Sequence, residues 1–228
     1  MWQQTNPLLN LRLVKIKMDN KSTVLLNIAD VYPVSYSNGP GRRSVIWVQG
    51  CTLKCPGCFN QAFQPHISQY LVDPQNFALK ITDLCQEHNC EGITLTGGEP
   101  FQQSQAVVQF VEIIRENDFN IVCFSGYTYP KLVESTHEDI RTLLGMIDLL
   151  IAGPFDISNQ CYRTWFHDPD KELVYITDRI SSERINNLQD LEFIVEGSDI
   201  SVTGFPEQKD YKILKDLFEK NQLEINLR

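Results

Sequence analysis

The chain has 228 residues, and 20 Lys and Arg against 29 Asp and Glu give it a formal net charge of −9. At roughly 150 residues per domain this is one domain with small appendages, and a domain of that size buries about 70% of its unfolded surface, so it needs no disulfides to fold. A content of 42% hydrophobic and 21% charged residues excludes a largely disordered chain, the acidic balance argues against a large nucleic-acid surface, and no run of about 18 apolar residues offers a membrane span.

In chain order, residues 1–20 have no clear period and read as an edge element or arm. Val24–Ala29 reads as a strand. Ser37-Asn38-Gly39-Pro40-Gly41 is turn chemistry. Ser44–Val48 reads as a buried strand that stops at Gly50-Cys51. Residues 75–88 place Phe77, Ile81, Leu84 and Cys85 on one helical face, so Cys85 is expected in the core. Ile93–Thr96 is a short strand ending in Gly97-Gly98. Residues 102–117 form an amphipathic helix with Val107, Phe110, Val111 and Ile114 inward. Asn120–Phe124 is a strand ending at Ser125-Gly126, residues 130–145 read as a helix, and Ile147–Ile151 is a strand ending at Ala152-Gly153-Pro154. Strands at 173–176 and 192–195 and a closing helix near 207–220 follow. Strands alternating with helices of this length indicate βαβ units and a parallel sheet, and ligands of such sheets bind at the carboxyl ends of the strands. The glycine and cysteine loops are therefore expected on one face.

Seven cysteines, Cys51, Cys55, Cys58, Cys85, Cys90, Cys123 and Cys161, are an odd number in a chain without a secretory leader pattern, which does not suit a disulfide framework. Three of them form Cys51-x3-Cys55-x2-Cys58, with Pro56-Gly57 supplying a tight turn. Thiolates at this spacing can wrap one centre. Three centres compete. A structural zinc site wants four ligands, and His66 is the nearest fourth. An electron-transfer iron–sulfur cluster wants four cysteines. A cubane with three cysteine ligands leaves one iron open, and an open position is how a metal site performs chemistry. The other cysteines read as small hydrophobes. His88, between Cys85 and Cys90, reads as a residue favoured at a helix C-terminus rather than as a ligand.

Cys51-x3-Cys55-x2-Cys58 after one strand, with Gly97-Gly98-Glu99-Pro100 after the next, resembles the radical S-adenosyl-L-methionine (SAM) family. Within it, Gly39-Pro40-Gly41-Arg42, Trp47-x-Gln49-Gly50, Cys55-Pro56-Gly57-Cys58-Phe59-Asn60, Ser125-Gly126-Tyr127, the stretch from Asp148 to Phe155, and Thr203-Gly204-Phe205-Pro206 are similar to the activating enzymes of anaerobic ribonucleotide reductase and close relatives. The resemblance covers about 24–206. It implies an α/β fold, an incomplete, open (βα)5-6 barrel, as a single domain over 1–228 with an N-terminal arm 1–23 and a C-terminal helix at about 207–220.

The resemblance further implies that Cys51, Cys55 and Cys58 ligate a [4Fe-4S] cluster whose fourth iron takes the amino and carboxylate groups of SAM. Gly97, Gly98, Glu99 and Pro100 serve the amino-acid end of SAM: the carboxylate pairs with the ammonium, the glycines admit close backbone approach, and Pro100 fixes the chain into the helix that follows. Phe59 packs near the adenine, or is plain hydrophobic packing. Ser125 and Gly126 meet the methionyl or ribose part. Arg42 and Arg43 serve the SAM carboxylate or a partner's carboxylates, solvated arginines being the plainer reading. The implied activity is reductive SAM cleavage and hydrogen-atom abstraction from a glycine of a partner glycyl radical enzyme, such as an anaerobic ribonucleotide reductase. Electrons come from a flavodoxin- or ferredoxin-like donor, in a cytoplasmic setting, with no membrane or nucleic-acid partner. The alternatives are a stand-alone radical SAM enzyme acting on a peptide or small molecule, and a non-catalytic iron–sulfur module. One departure concerns substrate identity: where the activases carry an Arg-Gly-Ser-x-Asn-Gln-like segment, this chain has Tyr162-Arg163-Thr164-Trp165-Phe166-His167-Asp168-Pro169-Asp170.

Overall fold

A computed structural model describes residues 24–156, 171–187, 191–196 and 199–204, with a few positions nearer the C-terminus. The arm 1–23, Cys161, the Tyr162–Asp170 segment and most of the closing helix lie outside the described residues. Among the described residues no helix is long and apolar enough to cross a membrane.

Seven strands form one sheet: β1 Leu26–Ser35, β2 Arg43–Val48, β3 Tyr70–Val72, β4 Gly92–Gly97, β5 Asn120–Ser125, β6 Leu149–Ala152 and β7 Glu172–Tyr175. Their spatial order is β3-β1-β2-β4-β5-β6-β7. The central run β2, β4, β5, β6 is parallel, and β1, β3 and β7 add antiparallel flanks. The result is a mixed α/β fold with a largely parallel, open sheet, the incomplete barrel that the sequence led us to expect. The strand expected at 24–29 is longer and sits two residues on. Edge strand β3 carries no periodic signal in so short a stretch. The strands near 192–195 do not join this sheet. Strands β8 Leu191–Glu196 and β9 Asp199–Gly204 make an antiparallel hairpin in a three-stranded sheet with β10 Asn226–Leu227.

The parallel strands show why they read as unbroken apolar runs: β2 and β6 are buried at every position. Alternate residues (Ile46, Val48, Ile93, Leu95, Ile121, Cys123, Leu150, Ala152) pack on one face into the main core with the helices. Those helices are α1 Pro74–Glu87, α2 Ser104–Glu116, α3 Tyr129–Val133 and α4 Glu138–Met146. Helix α1 starts with Asp73 accepting from the Asn76 N–H at 2.8 Å and Pro74 in the first turn, and buries Phe77, Ile81, Leu84 and Cys85. The inward face expected of α2 is also as found: Val107, Phe110, Val111 and Ile114 are fully buried. The single helix expected over 130–145 is two. A turn at 134–137 separates them, with the Ser135 hydroxyl accepting from the His137 N–H at 3.2 Å and competing with helical bonding. On the other face of the sheet Val45 and Trp47 pack with Ala29, and Val122 packs with Leu149 and Ile151.

The hairpin is joined to the main sheet by polar contacts. The Glu192 carboxylate accepts from Ser35 Oγ, from the Tyr36 N–H at 2.9 Å and from Ser37 Oγ at 3.0 Å, and Asn38 Nδ2 donates to Thr203 Oγ1 at 2.9 Å.

Candidate functional site

The chain leaves β2 at Gln49 and makes the cysteine loop. Its two ends are tied by backbone bonds from Gly50 N to Phe63 O (2.8 Å) and from Cys51 N to Gln64 O (2.9 Å). Inside it Lys54 and Gly57 take left-handed backbone angles, φ 53° and 70°. These turn the chain so that Cys51, Cys55 and Cys58 line one cleft. Gly57 serves this turn without steric cost. Burial pushes the Cys51 thiol up, against backbone N–H groups of Leu53 and Lys54 that hydrogen-bond its sulfur. Such donors favour the thiolate.

The next two strand ends are fastened to this loop. Beyond β4, Gly98 N donates to Val48 O at 2.7 Å and Glu99 N to Gly50 O at 2.9 Å. A methyl group on Gly98 would stand 2.3 Å from the Gly50 oxygen. The need for glycine here comes from the cysteine loop's backbone. Glu99 and Pro100 are buried, with Pro100 opening a 3-10 turn, Pro100–Gln103, ahead of α2. Gln102 clasps the cysteine loop by an amide pair: its Oε1 accepts from the Thr52 N–H at 3.0 Å and its Nε2 donates to Thr52 Oγ1 at 2.7 Å.

Both Glu99 oxygens are engaged by protein donors. Oε1 accepts from the Ser125 hydroxyl at 3.0 Å and the Phe101 N–H at 3.1 Å, and Oε2 from the Gly126 N–H at 2.8 Å. Burial nonetheless outweighs these bonds and pushes the carboxyl up to about 7. Across the cleft Lys171, whose Nζ donates to Gly153 O at 2.6 Å, is the one cationic side chain lining it among the described residues. A buried acid and a lysine on one cleft suit a zwitterion.

A folded-state value above the ordinary 4.5 means that Glu99 supports the fold most below about pH 4.5, and that this support is lost as pH rises through about 7. The span corresponds to about 3 kcal/mol. Denaturant unfolding of the apo chain at pH 5 and pH 8.5 is expected to show wild type losing stability relative to Glu99→Gln by that order. An equal difference at both pH values would show that Glu99 does not titrate in this range.

The cleft has a volume of about 130 Å³. Of the residues expected there, Cys51, Cys55, Cys58, Phe59, Gly97, Gly98, Glu99, Ser125 and Gly126 line it, and Pro100 stands behind it. Phe59 is at the rim, 49% exposed, its ring centroid 5.1 Å from that of Phe155. The structure adds Asn38, Trp47, Phe124, Phe155, Lys171 and Gly204. Trp47 and Phe124 were reachable from the sequence, since the period-two alternation turns them away from the helix face.

One expectation is corrected. Arg43 is not a solvated or ligand-facing arginine. It begins β2, at the end of the strand opposite Cys51, and is 1% exposed. It donates from Nε to Pro40 O and from Nη1 to Ile93 O, both at 2.8 Å, and from Nη2 to Asn120 Oδ1. Arg42, half-buried beside it, lies over the Tyr36 ring at 5.5 Å. Neither lines the cleft.

His66 is exposed, its ring against Gly50. Among the described residues no three His, Cys, Asp or Glu side chains gather around a single point, and His66 does not line the cleft of the three cysteines. The donor set fits a larger inorganic group: three thiols spread around one cleft, with backbone N–H groups turned to the Cys51 sulfur.

Comparison with known proteins gives the same picture. The family described as "4Fe-4S single cluster domain" matches residues 37–172. The anaerobic ribonucleoside-triphosphate reductase-activating protein of Vibrio cholerae is 32% identical over 135 residues, 57% of this chain and 84% of that protein. The protein of that name from Pasteurella multocida is 32% identical over 136 residues, 58% and 85%. The one from Enterobacteria phage T4 is 27% identical over 161 residues, 68% and 97%.

Proposed function

We propose, since the chain belongs to the 4Fe-4S single cluster domain family of radical SAM proteins, that it is an activase that installs a radical on a glycine of a partner enzyme, an anaerobic ribonucleotide reductase or a relative. Its cofactors are a [4Fe-4S] cluster and SAM. Together they supply a one-electron reductive cleavage of SAM that yields a 5′-deoxyadenosyl radical, the hydrogen-atom abstractor of this family.

The chain's own residues do the rest. Cys51, Cys55 and Cys58, which line one cleft, would hold the cluster. Glu99 binds the SAM ammonium, and Ser125 and the Gly126 N–H keep its carboxylate aimed by bonds of 3.0 and 2.8 Å. Lys171, which lines the same cleft, would serve the carboxylate of that ligand. Ser125 and Gly126 also border the methionyl or ribose portion, and Phe59 with Phe155 shields the rim from water.

The observation that carries this reading is the meeting of the three cysteines with Glu99 in one cleft. The glycine target is supported by the names of the relatives and by an open sheet, whose outer strands β3 and β7 do not pair with each other. An open side admits a loop of a macromolecule. A glycine suits it, because the flanking amides stabilise a radical at the α-carbon. The electron donor would be flavodoxin- or ferredoxin-like, and an oxygen-sensitive cluster suits an oxygen-poor cytoplasm.

The test is anaerobic reconstitution, reduction and addition of SAM, with and without an anaerobic ribonucleotide reductase from the same source. Expected are 5′-deoxyadenosine by chromatography and a glycyl doublet in the electron paramagnetic resonance spectrum only with the reductase. 5′-Deoxyadenosine with no glycyl signal would overturn the activase reading in favour of a stand-alone enzyme. A fully loaded cluster with no 5′-deoxyadenosine in either mixture would reduce the protein to an iron–sulfur module.

A further inference from the structure

Two cysteines that the cleft does not use lie together at the opposite end of β4. Helix α1 ends in a Schellman turn. His88 is the cap, Asn89 takes φ 50°, the Asn89 N–H bonds Gln86 O at 3.2 Å, and the Cys90 N–H bonds Cys85 O at 2.8 Å. In this motif the third residue before the cap and the second after it meet side chain to side chain. Helix α2 ends the same way: Asp118 has φ 64°, Phe119 N bonds Ile114 O at 3.3 Å, and the meeting positions hold Ile114 and Phe119. In α1 those positions hold Cys85 and Cys90; the Cys85 thiol donates to the Cys90 sulfur, and the Cys90 thiol donates to Pro33 O at 3.7 Å. Both are free thiols.

The two differ in reactivity. Cys85 is fully buried, and Cys90 keeps 8% of its surface exposed. The bond donated by Cys85, with Arg42 and Arg43 nearby, holds the Cys90 thiol below its ordinary value, against the opposing effect of burial. The Cys85 thiol is pushed up by the same bond and by burial. Arg42 Nε is buried with no hydrogen-bond partner among the described residues.

We propose that Cys85 and Cys90 form a redox-active dithiol, separate from the cysteine loop, that closes to a disulfide by exchange with a low-molecular-weight disulfide such as oxidised glutathione. The Cys90 thiolate attacks one sulfur of the oxidant and expels one glutathione thiolate. Cys85 then gives its proton to solvent or to that thiolate and attacks the Cys90 sulfur, expelling the second glutathione. Two protein thiols are oxidised by two electrons, and one glutathione disulfide is reduced to two thiols. The Schellman turn pins the backbone at both residues and sets their side chains side by side, so closure needs no refolding. The bond would tether the end of α1 to the root of β4, the six-residue strand that leads to Glu99 at its far end.

The experiment uses the anaerobically reconstituted holoenzyme in graded ratios of reduced to oxidised glutathione. Remaining thiols are trapped with N-ethylmaleimide in acid, and the protein is digested with trypsin. Residues 81–115 form one tryptic peptide that contains Cys85 and Cys90 and no other cysteine, so the readout is independent of the cluster. The expected result is a direct change from doubly alkylated peptide to unalkylated peptide two hydrogens lighter. The disulfide form should exceed the single glutathione adduct by about ten-fold or more. In Cys85→Ser the adduct on Cys90 should accumulate instead, and in Cys90→Ser residue Cys85 should remain alkylatable. Doubly alkylated peptide at every ratio, or a stable single adduct in wild type, would overturn the proposal and leave the pair as apolar filling like Ile114 and Phe119.

Discussion

Cys55→Ala is expected to lower the iron content of the reconstituted protein well below about four per chain and to reduce SAM cleavage by at least about a thousand-fold. Three thiolates are the minimum that holds a cubane with one iron free, and no other cysteine of the described residues lines the cleft. Cys85, Cys90 and Cys123 are all buried elsewhere, so none can substitute. Cys55 is half-buried on a loop outside the core clusters, and its stability cost should stay within about 0.5 kcal/mol. The loss is therefore chemical rather than structural. Iron analysis, the visible absorption of the cluster and chromatography of 5′-deoxyadenosine measure it. Cys90→Ser, at the far end of β4, should keep both cluster and cleavage. A Cys55→Ala protein with a full cluster and undiminished cleavage would remove Cys55 from the ligand set.

The second large effect lies outside the cleft, at the start of β2. Arg43→Ala is expected to cost about 3–5 kcal/mol, read as a lower denaturant midpoint of the apo protein. The guanidinium is fully buried, and burial lowers it to about 10 even with Glu91 and Asp148 opposing. Its three bonds reach the turn before β2, the β4 backbone and the side chain that opens β5. Truncation leaves two carbonyls and an amide oxygen without donors and opens a cavity. Arg43→Met fills the volume without restoring the donors, so it should fall between alanine and wild type. A change under 1 kcal/mol for alanine would mean that water replaces the guanidinium.

Much of this was legible in the sequence because several signals pointed the same way. β2 beyond Ser44 and β6 are apolar runs leading into glycine loops, and β4 alternates Ile and Leu with Thr before Gly97-Gly98; each is read directly as a buried parallel strand with a functional loop. The cysteine spacing and Gly97-Gly98-Glu99-Pro100 are contiguous, so local pattern suffices to find them. What was missed depends on distance in sequence. Arg43 looks like any charged residue beside a turn; its burial follows from β4 and β5 closing over it, 50 and 77 residues on. Lys171 reaches the cleft only because β7 runs back antiparallel to β6, a direction that periodicity does not encode. The β8–β9 hairpin has normal strand patterning, and nothing in that patterning says which sheet it joins.

The way in which the strand ends are fastened sets what this scaffold can vary. Cys51 and Glu99 are joined through backbone hydrogen bonds that continue the β2–β4 ladder past its end, and Gly153 N reaches Ser125 O and Tyr127 O in the same manner. Backbone bonds survive nearly any side-chain exchange. The hairpin carrying Gly204, by contrast, is held near the cleft by side-chain bonds. The cofactor half is thus insulated from drift, while the opposite wall can be remodelled by single substitutions. New targets can be acquired on that wall without re-evolving the machinery that generates the radical.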